Sequence, residues 1–241
     1  MIEPGRGRVT AELEDDWHRM AVSLFHCEGI ILDVAADMKR WPWSSCPGAL
    51  ERLSDTFTGV VLKDVARRGE KTANCTHLYD LAVFAAAHAY DSDVATYDVH
   101  VSDPVDGISH AELRRAGVML LEWTLADHRF TMPLCLAGRR LTEIGDWIAT
   151  LDPSTREAAR VLRWAAIMAF GRTMDIPDGS SAAQFPTGAC YTFQPDKAAT
   201  AIRLPEAWVD FSDSSAGPMG DRSDRFAEKR ITQETEFNAK E

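Results

Sequence analysis

Two cysteines and a histidine fall where helices should begin, and they are the groups with most chemistry to offer. Cys46 precedes Pro47, and Cys75-Thr76-His77 opens a long apolar run. Proline suits a first helical position because its missing N–H would find no intrahelical partner there, which leaves Cys46 as the expected N-cap. Asn74, Cys75 and Thr76 compete to cap the second helix. Helix N-termini carry free N–H groups and partial positive charge, which favour thiolate over thiol. Three chemistries fit. Cys46, Cys75, His77 and Cys190 could ligate zinc, since sulfur and imidazole are its donors, although closely paired cysteine spacing is missing. Cys75 or Cys46 could act as a nucleophile with His77 as base. Positions two apart on a helix diverge, so pairing Cys75 with His77 needs Cys75 outside the helix. Or the thiols only pack, and His77 hydrogen-bonds a carboxylate or carbonyl. Asp80 is placed to orient His77 from the next turn, or to serve as a first-turn acid that complements the helix dipole.

Other titratable groups have a bland reading beside the chemical one. Asp15-Asp16-Trp17-His18 could deliver acid–base groups to a sheet end; an exposed acidic strand start is the alternative. His88, eleven positions after His77, reads as a hydrogen-bonded core histidine. Trp41, Trp43, Trp123, Tyr191 and Phe193 line a pocket or fill core. Arg139, Arg140 and Arg172 are carboxylate binders or solvated helix ends.

The elements that must position these groups follow from periodicity. Residues 1–14 are polar and contain glycine, and read as a loose arm. Met20, Val22 and Leu24 alternate with Arg19 and Ser23, then Ile30, Leu32 and Val34 alternate against Asp33, which predicts a β-hairpin. Leu50, Leu53 and Phe57 predict a helix over about 47–57. His77, Leu81, Phe84 and His88 share a stripe of a second helix over about 76–90, which should be nearly engulfed. Strands around Tyr97–Val101, Ala111–Leu113, Leu121–Leu125 and Arg129–Met132, joined by short turns, favour an antiparallel meander. A helix follows over about 141–150. Asp152-Pro153-Ser154 with Glu157 has the form of a capping box opening another, with Ala158, Val161, Leu162, Ala165 and Ala169 as its buried stripe. The fold class is α+β: a mostly antiparallel sheet from hairpin and meander, with helices on one face. The expected layout is an arm over 1–14, one domain over 15–211 and a mobile polar tail over 212–241.

The runs Cys46-Pro47-Gly48-Ala49, Cys75-Thr76-His77-Leu78-Tyr79-Asp80-Leu81-Ala82 and Gly188-Ala189-Cys190-Tyr191-Thr192-Phe193-Gln194-Pro195 together resemble the bacterial family catalogued as domain of unknown function 2889. The similarity extends from about Asp15 to Phe211, and the Cys-Thr-His-Leu block is its most specific part. The resemblance implies one bacterial domain and marks Cys46, Cys75, His77 and Cys190 as motif positions. It brings no activity with it.

Composition trims the alternatives. The chain has 241 residues and a formal net charge of −11, which argues against nucleic acid or an anionic membrane as partner. Its start lacks an apolar signal core, and no run approaches the length of a membrane helix. Five cysteines in such a chain suit the reduced bacterial cytosol. Dinucleotide, phosphate-loop, nucleophile-elbow and zinc-protease motifs are missing. Two classes of function stand. One is a cytosolic enzyme acting on a small, partly apolar or aromatic molecule through His77 and a cysteine, with or without zinc, in a lyase, isomerase or hydrolase step. The other is a non-catalytic binding or structural protein whose Cys/His blocks close the core.

Overall fold

The computed structural model describes residues 1–205, 207–212 and 217–220. The chain divides into two compact units, one formed by residues 2–94 with the segment from 177 onward, the other by residues 95–176. Both are antiparallel sheets with helices on one face, so the α+β class holds; hairpin and meander lie in separate four-stranded sheets. No helix among the described residues is long and apolar enough to cross a membrane.

The first unit is built on strands β1 (Ile2–Gly5), β2 (Arg8–Glu14), β3 (Arg19–Cys27) and β4 (Ile30–Arg40), paired in that order. Residues 1–14 are thus two strands and not a loose arm. Val9 and Ala11 alternate into the core, and Gly7 at φ 67° turns the chain between the strands. The expected hairpin is β3 with β4, turned at Glu28 and Gly29, both at positive φ. Its register slips twice, once between Arg19 and Met20 and once between Phe25 and His26. Phe25 pairs with Asp33 and His26 with Ile31, so Leu32 is an extra residue. That bulge buries Ile31 and turns Ile30 and Leu32 outward, where simple alternation would have buried them.

Helix α1 (Ala49–Phe57) follows a 3-10 turn that begins at Cys46, and packs against β4. Helix α2 (Thr76–Ala87) lies across β2 and β3 and is nearly engulfed, as its composition predicts. Only Thr76, Asp80, Val83 and Ala87 escape burial, the single line left by a 3.6-residue repeat. Its N-cap is Cys75, which makes no side-chain cap.

The second unit carries β5 (Tyr97–Val101), β6 (Ile108–Arg115), β7 (Val118–Ala126) and β8 (Arg129–Met132) as the expected meander. Helices α3 (Gly145–Thr150) and α4 (Pro153–Ala169) cover one face, with Leu162, Ile144 and Ile148 packed over Leu113, Trp123 and Phe130. Asp152 caps α4 by accepting from the N–H groups of Ser154 and Thr155, both at 3.1 Å. Glu157 stands two residues too far along for a capping box with Asp152 and instead accepts from the Tyr97 hydroxyl at 2.5 Å. The buried stripe of α4 runs through Ala158, Ala159, Leu162 and Ala166. Arg172 clamps Asp103 with two bonds, at 2.9 and 3.1 Å, and Arg139 holds Asp146. Both arginines therefore brace their own unit.

Candidate acid–base site

The turn between β2 and β3 folds around Asp15. Its Oδ1 accepts the N–H groups of Trp17 and His18 at 2.8 and 2.6 Å, and its own N–H donates to the His18 carbonyl at 2.9 Å. An aspartate two and three residues before free N–H groups imitates a backbone turn, so the sequence writes this loop locally. Arg40, at the end of β4, secures it from beside. Its guanidinium donates to the Asp15 carbonyl at 2.5 Å and pairs with Glu14 at 3.2 Å.

Closing the turn swings the His18 ring inward. Its Nδ1 lies 3.0 Å from Asp15 Oδ1 and 3.2 Å from Oδ2. The first turn of α2 brings His77 onto the same spot, with the two imidazoles stacked at 3.9 Å between centres and tilted by 30°. His18 and His77 are buried, while the Asp15 side chain keeps 26% exposure and so forms the approach from solvent. Among the described residues, Asp15, His18 and His77 are the group whose ligand-type atoms gather, all within 4.8 Å of one another.

Electrostatics assign the protons. Burial pushes the Asp15 carboxyl up, but the charge of His18, its hydrogen bond, the charge of His77 and the Trp17 N–H outweigh it and hold the pKa at about 2. Asp15 is thus an acceptor only, and the proton in the Asp15–His18 bond belongs to His18 Nδ1. Burial drives His77 well below the ordinary imidazole value; the charges of His18 and Lys71 add to this, and Asp15 opposes it. His77 is neutral at pH 7.

The cysteines take a different role from the one their helix-start positions suggest. Burial pushes Cys46 up to about 11 and Cys75 up to about 12, and raises Cys190 as well. Desolvation outweighs the helix N-terminus and, at Cys46, also the opposing charge of Arg203. Cys46 and Cys190 would repel a Cys75 thiolate and so raise its thiol further. His77, however, gathers with Asp15 and His18, and the expected set of Cys46, Cys75, His77 and Cys190 does not meet as four ligands. The loop of residues 188–194 fills the thiol region. Tyr191 N–H donates to the Asn74 carbonyl at 2.9 Å, the Ser45 hydroxyl bonds Thr192 at 3.0 Å, and the Cys46 sulfur lies 3.4 Å from the Thr192 hydroxyl. Asp80 takes Lys71 as an ion-pair partner at 2.6 Å. Asp15 is the carboxylate whose charge bears on His77.

His88 caps the far end of α2, buried, with Nδ1 2.6 Å from Asp91 Oδ2, as a hydrogen-bonded core histidine should be. Trp43 is core too, packed edge-on against Phe185 and Phe193. Asp15 and His18 are the residues that the sequence undervalued. Their signal was the aspartate set three residues before a histidine at a strand entrance. Nothing in that local pattern could tell that His77 would arrive above them.

No curated protein and no solved structure matches the chain. The Gly188–Pro195 run lies beyond the matched part of the family profile, so the resemblance reaches less far along the chain than its motifs suggest. Within that limit the family is the expected one: residues 4–91, which hold β1 to β4, α1, α2 and all three residues of the site, match the family described as protein of unknown function DUF2889.

Proposed function

We propose that Asp15, His18 and His77 form an acid–base centre that acts on a small molecule in the bacterial cytosol, in a lyase, isomerase or hydrolase step. The observation that carries this reading is the 3.0 Å Asp15–His18 hydrogen bond closed over by the stacked ring of a neutral His77. In such an arrangement Asp15 fixes the tautomer of His18, so Nε2 offers the lone pair that takes a proton from the substrate. The carboxylate then stabilises the imidazolium. His77, kept neutral, is a second place for a proton to be taken or given. Cys46 and Cys75 hold their protons at neutral pH and enter as packing.

A second reading, zinc or a related divalent ion on Asp15, His18 and His77, is favoured by one observation, the 4.8 Å gathering of the three groups. Two imidazoles bound to one zinc at about 2.1 Å would hold their centres roughly 5 Å apart. The stacked pair is closer than that at 3.9 Å and nearly parallel, a geometry that does not suit shared coordination of one ion.

Long-range nitrogen–proton spectra of histidine-labelled protein test the proposal. His18 should appear as the Nδ1–H tautomer in the native chain and lose that preference in Asp15→Asn. An Nε2–H tautomer in the native chain would contradict the reading. Titration with cobalt addresses the second one: stoichiometric uptake with the visible bands of a nitrogen–oxygen site, lost in His77→Gln, would replace the acid–base centre by a metal centre.

A further inference from the structure

Arg203 is 6% exposed, yet the surroundings of its guanidinium lack the carboxylate that a buried cation calls for. Its backbone is pinned, pairing with Trp43 and donating to the Ser180 carbonyl at 2.9 Å. The guanidinium carbon stands 4.2 Å over the ring of Trp17, whose own ring lies 6.0 Å from that of Trp208. Nε is buried without an acceptor, and among the described residues no carboxylate comes within ion-pair distance of Arg203. The chain has 37 acidic residues, so this is not scarcity. Asp178, which is exposed, acts on Arg203 only from farther off, and Cys46 nearby keeps its proton and supplies no charge. The indole face offsets part of the desolvation of the cation but leaves the in-plane N–H donors unused.

Trp17 belongs to the Asp15–His18 turn, so the unpaired guanidinium rests on the loop that carries the acid–base pair. We propose that Arg203, with Trp17 and Trp208, binds the carboxylate of a small planar molecule, and that this is the substrate class of the Asp15–His18–His77 centre. The second half of that statement rests on the acid–base reading; the first does not. A guanidinium fork matches a planar carboxylate with two parallel bonds, and its single charge matches a monoanion. Indole faces suit a flat apolar body beside it.

The test uses the full chain with benzoate, benzamide and inorganic phosphate as probes, and reads the melting temperature and the indole N–H signal of Trp17, assigned through Trp17→Phe. Benzoate should move that signal saturably and raise the melting temperature. Benzamide, equal in shape but neutral, should bind at least tenfold more weakly. Arg203→Met should lose benzoate binding by tenfold or more. Arg203→Lys, which keeps the charge and loses the fork, should retain part of it and serves if the methionine variant does not fold. The His18 tautomer, read in the same native chain, reports the acid–base centre separately, so a failed acid–base centre and a failed carboxylate site can be told apart. Benzoate that does not bind, binds no better than benzamide, or survives Arg203→Met would overturn the proposal. Phosphate binding in preference to benzoate would overturn the assignment to a carboxylate.

Discussion

Two imidazoles stacked at 3.9 Å in a buried site cannot both carry a proton cheaply, and the protein resolves this by giving one of them a carboxylate. The consequences appear in the pH dependence of stability. The pKa of Asp15, about 2 in the folded chain against an ordinary 3.8, is lowered, so its stabilisation is complete above 3.8 and is lost as pH falls toward 2. The loss amounts to about 2 kcal/mol, and Asp15→Asn should remove that acid limb in denaturant titrations. His77 works in the same direction at higher pH. Its folded-state value lies well below 6.5, so the unfolded chain takes up the extra proton and stability declines as pH falls below 6.5. Urea midpoints between pH 7.5 and 5 should therefore slope less in His77→Gln than in the native chain; the remainder includes His26, which burial also lowers. At the other end of the same helix His88 is an anchor, hydrogen-bonded to Asp91 at 2.6 Å. His88→Ala should cost about 1–3 kcal/mol and leave the His18 tautomer intact.

At the scale of elements, what was legible is what local periodicity writes. The β3–β4 hairpin, the four-strand meander and the engulfed α2 all follow from spacing two or 3.6 residues apart. Leu32 was misplaced because a bulge depends on the partner strand, which alternation along one strand cannot reveal. Strands β1 and β2 were missed because a short polar segment pairs only when a neighbour supplies the edge. The candidate site is half legible: the helix mouth points to His77, but its partners come from a turn about sixty residues earlier, and burial raises the thiols that helix starts alone would ionise. In the second unit, Leu162 on α4 is fully buried over the sheet. Leu162→Ala should destabilise that unit by about 2–5 kcal/mol, seen as faster hydrogen exchange through β5 to β8.

At the scale of the whole molecule, the acid–base turn and the unpaired arginine lie in one compact unit, which also holds the family match. The C-terminal segment reaches that turn. Val209 N–H donates to the Asp16 carbonyl at 2.9 Å and Met219 N–H to the Glu14 carboxylate at 2.6 Å. Most of the expected tail, residues 213–216 and 221–241, lies outside the described residues. Ending the chain after Ser212 removes the Met219 donor, but Glu14 keeps Arg40 at 3.2 Å. We therefore expect the truncated protein to fold with a small drop in melting temperature; a large drop would show that the tail is part of the core. The most direct test of the central claim is the titration of the His77 ring nitrogens in the intact, labelled chain from pH 7.5 to 5. His77 should stay neutral across that range while His18 keeps its proton on Nδ1 toward Asp15. A His77 that titrates near the ordinary 6.5, or His77 nitrogens shifted as metal ligands, would contradict that claim.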